Sequence, residues 1–318
     1  MKRLLTLLVF FPIFLYAQFD GAVGTEGCRA VSCTDPNIKS WATGCEVTRG
    51  YQDIKRQQAL ADYGNAGDAT GPVTESTLEV VSLGDGGYAI LTFNTPISNG
   101  PGYDFAVFEN SFDDVFLELA FVEVSSDGEH WVRFPATSLT PEDVQVGSYG
   151  TVDPTLINNL AGKYRAGWGT PFDLAELADS NNLDINHITH VKIVDVVGTI
   201  DLEYATYDAS GHIVNDPYPT NFGSGGFDLA GIAVLNQGTT TGITEYGNAD
   251  FTVYPNPCRD YLWVEQHGNA DMVLYNAFGQ EIVRYTLSGG ATKIDMTPFP
   301  SGIYLISVDG NTWKMIKQ

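Results

Sequence analysis

Short alternating β-runs are the feature that most constrains the fold of this chain. Between residues 18 and 236 they are rich in Val, Ile, Phe and Tyr, and turn residues close each run. In one of them Ala120, Val122 and Val124 share a face, which predicts a sandwich strand with that face toward the core. The Asp127-Gly128 turn predicts a hairpin with residues 130–134. The runs are LEVVSLG, GGYAILTF, YDFAVFEN, ELAFVEVSS, HWVRFP, HVKIVDVV and FDLAGIAVLN.

Two short helices are predicted between these strands. Asp153-Pro154 and Thr170-Pro171 each place a capping side chain before a proline, which predicts helices over 154–162 and 171–179. About 220 residues are enough for one large domain with a well-buried core. The sequence therefore predicts an all-β domain over 18–236 with short helical insertions.

The N-terminal residues have the layout of a secretory signal peptide. Lys2 and Arg3 precede an apolar run that ends at Tyr16, and the small Ala17 follows. The run is shorter than the about 20 residues of an ordinary membrane span. Residues 1–17 are predicted to be removed, with an uncleaved anchor as the alternative, and no transmembrane segment is expected after cleavage.

The C-terminal residues contain four β-patterned motifs in order. They are YPNP with Asp260, YN with Gly279, PSGIY, and a basic tail. This part resembles the C-terminal sorting domain of the type IX secretion pathway of Gram-negative bacteria. The resemblance implies a small immunoglobulin-like sandwich over 250–318, preceded by a linker over 237–249, and an interaction with the secretion machinery. The matching residues are Pro255, Asn256, Pro257, Asp260, Gly279, Gly302, Tyr304, Lys314 and Lys317.

Charge is concentrated in the middle of the chain. The formal net charge is −23, and residues 18–246 hold nine basic and thirty-two acidic residues. A surface this acidic repels phosphate, so nucleic acid is not an expected partner. On this interpretation the two ends of the chain direct its export, and the residues between them carry its function.

The middle domain has a second resemblance. GGYAILTF, FVEVSSDGEHWVRF, HVKIVDVVG and FDLAGIAVLN follow the layout of galactose-binding-like jelly rolls. Over residues 38–236 the chain is also similar to secreted bacterial surface proteins, some of which are associated with cobalamin-type uptake at the outer membrane. The resemblance implies a jelly-roll-type β-sandwich and a secreted or outer-surface location, but no activity.

Catalytic motifs are missing from the sequence. His187 and His190 are three apart, so a strand would send them to opposite faces. No His-Glu-x-x-His and no Gly-x-Ser-x-Gly occurs. We therefore expect a non-catalytic binding protein for a glycan or small cofactor. The alternatives are a secreted polysaccharide hydrolase and an accessory protein of cobalamin-type uptake with an outer-membrane receptor.

Aromatic residues in Gly- and Pro-rich segments are the candidate ligand contacts, because such rings can stack on a sugar or flat cofactor. The alternative is that they fill the core beneath long loops. The candidates are Trp41, Tyr164, Trp168, Tyr218 and Phe222.

Acidic residues at strand edges are candidate ligands for a structural Ca²⁺, which takes six to eight oxygen ligands. Jelly rolls of the resembled type often hold such an ion, and solvated turn residues are the alternative. The candidates are Asp85, Asp104, Glu109 and Asp228.

Four cysteines in an exported chain could form two disulfides. Cys258 lies in the predicted sorting domain, and a bridge would keep a cleaved tail attached. We therefore predict one bridge from Cys45 to Cys33 or Cys28, with the third of these cysteines unpaired and Cys258 unbridged. The alternative is that Cys28, Cys33 and Cys45 all remain free thiols.

Overall fold

A computed structural model describes residues 19–238, 251–266, 268–309 and 311–318. These residues fall into two compact units, one ending at Gly238 and one comprising the described residues from Phe251. The predicted signal peptide, residues 1–17, residues 239–249 of the predicted linker, and residue 250 lie outside the described residues. No helix in the described ranges is long and apolar enough to cross a membrane.

The larger unit is an antiparallel β-sandwich. One sheet has the order β1-β11-β6-β13-β2, with β4 also paired to β13, and the other has the order β3-β5-β12-β7-β8. A short ladder joins β9 and β10. The strands are β1 (Val31–Ser32), β2 (Ser40–Trp41), β3 (Gly44–Thr48), β4 (Val81–Ser82), β5 (Tyr88–Ile97), β6 (Phe105–Glu109), β7 (Ala120–Ser125), β8 (Val132–Arg133), β9 (Thr137–Ser138), β10 (Ile157–Asn158), β11 (Trp168–Phe172), β12 (Ile188–Asp195) and β13 (Asp228–Val234).

The main core lies between the two sheets. Val107 and Ile232 contribute to it from the first sheet, and Val122 and Val191 from the second. The predicted face of β7 is confirmed, since Ala120, Val122 and Val124 all belong to this core. The predicted hairpin is also confirmed, because β7 pairs with β8.

A second apolar cluster lies beneath the long connections. It contains Phe121 of β7 together with Leu117, Val152 and Leu160. Phe121 is therefore buried on the face that alternation alone leaves open to solvent. A third cluster, which includes Val31 and Phe108, also belongs to this unit.

The two predicted helices are corrected to short 3₁₀ turns. Asp153 caps the first as expected, accepting the Thr155 N–H at 2.9 Å, but the helix covers only Pro154–Leu156 because β10 follows at once. Thr170-Pro171 lies inside β11, where Thr170 pairs with Val107, so strand pairing prevails over the capping signal. The second turn covers Leu174–Leu177 and is capped by Asp173. A third covers Ala66–Ala69.

The C-terminal unit is a sandwich of a three-stranded and a four-stranded sheet, with orders β14-β15-β18 and β17-β16-β19-β20. Its own core contains Leu262, Leu274, Ile294 and Ile306. This agrees with the predicted immunoglobulin-like sandwich. The strands are β14 (Phe251–Tyr254), β15 (Tyr261–Gln266), β16 (Ala270–Asn276), β17 (Glu281–Leu287), β18 (Gly290–Asp295), β19 (Gly302–Val308) and β20 (Asn311–Lys317).

Candidate ligand-binding pocket

A cavity of about 360 Å³ opens in the larger unit, and three of the connections around it carry its aromatic rings. The first follows β6, the second includes residues 148 and 149, and the third leads into β13. Its size is within the range of about 300–1,000 Å³ that small-molecule sites occupy. We call it the aromatic pocket. Its lining residues are Thr77, Asn110, Phe112, Phe116, Glu118, Ser148, Tyr149, Thr220, Phe222, Ser224 and Asp228.

Four aromatic rings form one wall of this pocket. Phe112 and Phe116 stack with their centroids 4.7 Å apart, Tyr149 follows 6.4 Å from Phe116, and Phe222 lies 6.1 Å from Tyr149. Three of the rings are exposed: Tyr149 at 74%, Phe112 at 67% and Phe222 at 43%. A contiguous patch of exposed apolar side chains at the mouth of one cavity is typical of a binding site.

Hydrogen bonds hold the connections that carry these rings. The Asp113 carboxylate accepts the N–H groups of Val115 and Phe116 at 2.8 and 2.6 Å, which forms a turn between Phe112 and Phe116. The Ser111 hydroxyl donates to the Phe116 carbonyl at 2.5 Å. The Ser148 hydroxyl donates to the Pro219 carbonyl at 2.6 Å and so links the second and third connections. These hydrogen bonds fix the backbone turns that carry the rings of the wall.

Two carboxyl groups, those of Glu118 and Asp228, line the same cavity. Asp228 begins β13 and accepts hydrogen bonds from the Ser82 hydroxyl and, at 3.1 Å, from the Asn110 amide. Burial raises its pKa to about 6, against these hydrogen bonds. Glu118 is 8% exposed, and its carboxyl group has no hydrogen-bond partner among the described residues. Burial, followed by the charges of Asp228 and Glu109, raises the pKa of Glu118 well above its ordinary value.

A third carboxyl group lies close to this pair. Glu109 ends β6, opposite Leu229 of β13, and accepts the Ser111 N–H at 2.7 Å. Its Oε1 atom is buried without a partner in the described structure. Burial and then the charge of Asp228 raise the pKa of Glu109 well above its ordinary value. Burial and mutual repulsion favour the protonated form of a carboxyl group, so Glu109 binds a proton more readily than an exposed glutamate does.

The predicted aromatic contacts fall in different environments. Phe222 is part of the aromatic wall, and Tyr218 lines a separate cavity beside Lys55, with its hydroxyl buried and unpaired among the described residues. Trp41 packs on Phe108 with centroids 5.4 Å apart, and Trp168 lies in β11. Tyr164 and Tyr218 are 2% and 5% exposed, which fits the alternative that such rings fill the core beneath the loops.

Tyr164 is buried because it completes an internal polar cluster. Its ring is 2% exposed and its hydroxyl donates to Asp20, which also receives Lys163 at 2.9 Å and Arg29 at 2.6 Å. Tyr164 therefore presents no face to a ligand.

The four candidate calcium ligands do not form one site. Asp104 precedes β6 while Glu109 ends it, and Asp104 accepts N–H groups from Gly100 and Leu174 at 2.8 and 2.7 Å. Asp85 accepts the Ile54 N–H at 2.9 Å. Only Glu109 and Asp228 come together, and no group of three His, Cys, Asp or Glu side chains in the described ranges is arranged to hold a metal ion. Calcium stays a prediction.

The structure does not show the predicted disulfide, which stays a prediction. All four cysteines lie in the described part of the chain, and each is a free thiol there. Cys45, in β3, packs against the main core between the sheets, whereas Cys33 packs against a different cluster with Val31 and Phe108. Cys28 is half-buried, and Cys258 is buried and unbridged.

The motifs of the C-terminal unit meet at its last strand. The Asn256 amide donates to the Lys314 carbonyl at 3.0 Å, and its oxygen accepts the Ile316 N–H at 2.9 Å. Cys258 and Lys317 form a parallel bridge beside these bonds. Together they cover the free edge of β20, which would otherwise expose unpaired backbone groups.

The other motif residues form turns. The Asn276 oxygen accepts the N–H groups of Phe278 and Gln280, both at 3.0 Å, and Gly279 supplies a φ of 74° that favours glycine. The Tyr304 hydroxyl donates to the Pro300 carbonyl at 2.7 Å. Asp260 contributes its backbone carbonyl, which accepts the Met296 N–H at 2.9 Å. Pro255 and Pro257 both follow cis peptide bonds, Gly302 begins β19, and Lys314 and Lys317 lie in β20.

Residues 252–318 match the model of the secretion system C-terminal sorting domain. This part of the chain is a type IX sorting domain. The sorting domain identifies an exported protein of the cell surface or the secreted fraction, and it implies an interaction with the type IX secretion machinery. No curated protein matches the chain.

Three solved structures are distantly similar. PorZ, a surface component of the type IX secretion system of Porphyromonas gingivalis, shares 16% identity over 28% of this chain and 14% of its own, with a TM-score of 0.18. The BSP domain of a biofilm-associated protein shares 11% identity over 89% of this chain and 53% of its own, with a TM-score of 0.18. A β-glucuronidase from Ruminococcus gnavus shares 11% identity over 87% of this chain and 43% of its own, with a TM-score of 0.22. This chain thus spans from 14% to 53% of these structures' lengths, and the matches carry no argument about activity.

Sequence reasoning named Phe222 and Asp228 in the aromatic pocket but missed the other three rings and Glu118. A signal for the rings was present in NSFDDVF, where two phenylalanines stand in a polar segment with no strand alternation. Glu118 stands between Leu117 and Leu119, which indicates a buried acid.

Proposed function

We propose that this protein is a surface-displayed or secreted binding protein, and that its sandwich domain binds a small polar ligand such as a glycan in the aromatic pocket. The observation that carries the proposal is the row of four rings beside buried carboxyl groups. Aromatic faces cover the apolar face of a sugar ring, while carboxyl, amide and hydroxyl groups bond to its hydroxyls. A flat cofactor of the cobalamin type would use the same rings.

The arrangement of the pocket favours binding because its parts are held in place. The Ser148 and Ser111 hydrogen bonds hold the ring-bearing connections, so a ligand has little chain to order. Preorganisation of this kind raises affinity by lowering the entropy lost on binding. The alternation of apolar rings with Asn110, Thr220 and Ser224 suits a ligand that is itself amphipathic.

The test is a binding screen of the exported protein against immobilised glycans and against cyanocobalamin. Phe112→Ala and Tyr149→Ala remove rings that are mostly in solvent, so they should leave the fold intact while weakening binding at least about tenfold. Leu202→Ala is the matched control, because this side chain is 74% exposed and lies outside the pocket lining. Binding that is insensitive to both ring variants would place the ligand elsewhere.

A secreted hydrolase is the second candidate, and one observation favours it. Glu118 and Asp228 share a cavity and both have a raised pKa, and glycosidases use one protonated and one ionised carboxyl group. Release of reducing sugar from a bound polysaccharide, lost in Glu118→Gln, would support catalysis. Recovery of intact ligand after long incubation would argue against a hydrolase and leave non-catalytic binding as the function.

A further inference from the structure

The aromatic pocket contains acidic groups and no basic one. Glu118 and Asp228 are the charged residues of its lining, and no Lys, Arg or His is part of it. Arg49 is the cation whose charge acts on Asp228, and its guanidinium is occupied by the carbonyls of Tyr63, Ser82 and Gly64. The lining of the pocket therefore contains no cation that could pair with its two carboxyl groups.

The following buried or half-buried acids of this unit all have cationic or backbone partners. Asp20 is bonded to Arg29 and Lys163, and Glu123 is bonded to Arg133 and Lys192 at 2.7 and 2.9 Å. Other carboxylates without a cation accept backbone N–H groups: Asp195 accepts those of Gly86 and Phe227, and Asp216 accepts that of Leu119. Glu118 differs from all of these, because its carboxyl group has neither kind of partner in the described structure.

Burying a carboxylate without a partner is costly, so a ligand that supplies the missing donor gains unusually strong interactions. The donor must also suit the wall of the pocket. Aromatic faces attract organic cations, and a carboxylate attracts an ammonium group by its opposite charge. Ca²⁺ suits the pocket less, because it takes six to eight oxygen ligands and here only two carboxyl groups line a cavity walled by four rings.

We propose that the ligand of the aromatic pocket carries an organic ammonium group, as an amino sugar does, and that Glu118 is its counter-ion. The proposal rests on the proposed function, since it names the class of ligand for the same site. Phe112, Tyr149 and Phe222 contact the body of the ligand and the rim of the cation, and Glu118 accepts hydrogen bonds from the ammonium group.

The test compares two probes that differ only in charge. The trimer of glucosamine carries ammonium groups at about pH 6, below the pKa range of such amines, and the trimer of N-acetylglucosamine is neutral. Calorimetry on the exported protein should show the cationic trimer binding about tenfold or more tighter than the neutral one. Glu118→Gln, which keeps the side-chain volume, should abolish that preference, and Phe112→Ala should weaken binding of the cationic trimer.

A protein of net charge −23 attracts any cation weakly, so the control must remove one charge elsewhere. Asp179→Asn does so at an exposed position of the same unit and should keep the full preference. A preference that Asp179→Asn reduces as much as Glu118→Gln does would show general attraction and overturn the assignment of Glu118.

Failure of the inference and failure of the proposed function give different results. Equal or tighter binding of the neutral trimer overturns the ammonium proposal. So does a lack of binding of either trimer while another, uncharged ligand binds and depends on Phe112, and the binding function then stands. If no ligand of the screen depends on Phe112 or Tyr149, both fail.

Discussion

The Asp228 carboxyl group should destabilise the free protein at neutral pH. Its pKa is raised from 3.8 to about 6, chiefly by burial, which corresponds to about 3 kcal/mol of stability. A carboxyl group whose pKa is raised in the folded state holds a proton there that the unfolded chain has already released. Stability therefore falls as pH rises from about 4 to about 6, and the loss is complete above the folded pKa.

Asp228→Asn should remove this penalty without breaking the local hydrogen bonds. The asparagine oxygen can accept the Asn110 amide, and its NH₂ group can donate to the Ser82 hydroxyl, which donates or accepts equally well. At about pH 7.5 the free energy of unfolding of the variant should be higher by up to about 3 kcal/mol. For a unit of this size that raises the melting temperature by about 6–12 °C. At about pH 4 the two proteins should melt within a degree or two of each other.

The assay is scanning calorimetry in excess chelator, following the transition of the larger unit. Asp179→Asn is the control for net charge, because its carboxylate is exposed, and it should shift the melting temperature little at either pH. A lower melting temperature for Asp228→Asn at about pH 7.5, or the same shift at both pH values, would refute the reasoning that burial dominates at this carboxyl group.

Three further outcomes are expected. Deletion of 247–318 should leave the larger unit folded, since it has its own core, but should strongly lower its level at the surface and in the medium, as measured by fractionation and blotting; an undiminished surface level would contradict the sorting role. The calcium prediction requires that chelator lower the melting temperature of the larger unit. An unchanged curve together with no metal by elemental analysis would remove calcium. Asn256→Ala should destabilise the sorting domain by about 1–3 kcal/mol in thermal unfolding, because two hydrogen bonds to β20 are lost. Asn269→Ala, at an exposed position of the same domain, is the comparison and should have little effect.

The strands could be predicted because their signal is local. Alternation in ELAFVEVSS and the Asp127-Gly128 turn determine β7, its inward face and its hairpin without reference to the rest of the chain. The helix predictions went wrong where a local signal competed with a distant partner. Thr170-Pro171 resembles a helix start, but pairing with Ala106 and Val107 of β6 is a contact that sequence spacing does not reveal.

The aromatic pocket could be predicted only in part, because three connections far apart in sequence supply its rings. Phe112, Tyr149 and Phe222 are separated by more than thirty residues each, and each alone is an ordinary loop aromatic. Tyr164 shows the opposite error, since its Gly-rich surroundings suggest exposure while Asp20 and Lys163 draw it inside. Burial of a loop residue depends on what packs above it, and the sequence does not state that.

Two unfavourable features meet in the aromatic pocket, and one ligand could relieve both. Phe112 and Tyr149 expose large apolar surfaces to water, and burial desolvates the carboxyl group of Glu118, which has no hydrogen-bond partner in the described structure. In the same chain the sorting domain covers its edge strand through Asn256, and the Asp20 cluster satisfies a buried charge with Lys163 and Arg29. A fold that resolves such costs elsewhere but concentrates them around one cavity is best explained if an outside molecule resolves them there, since a single amphipathic cation would cover the rings and pair the acid at once.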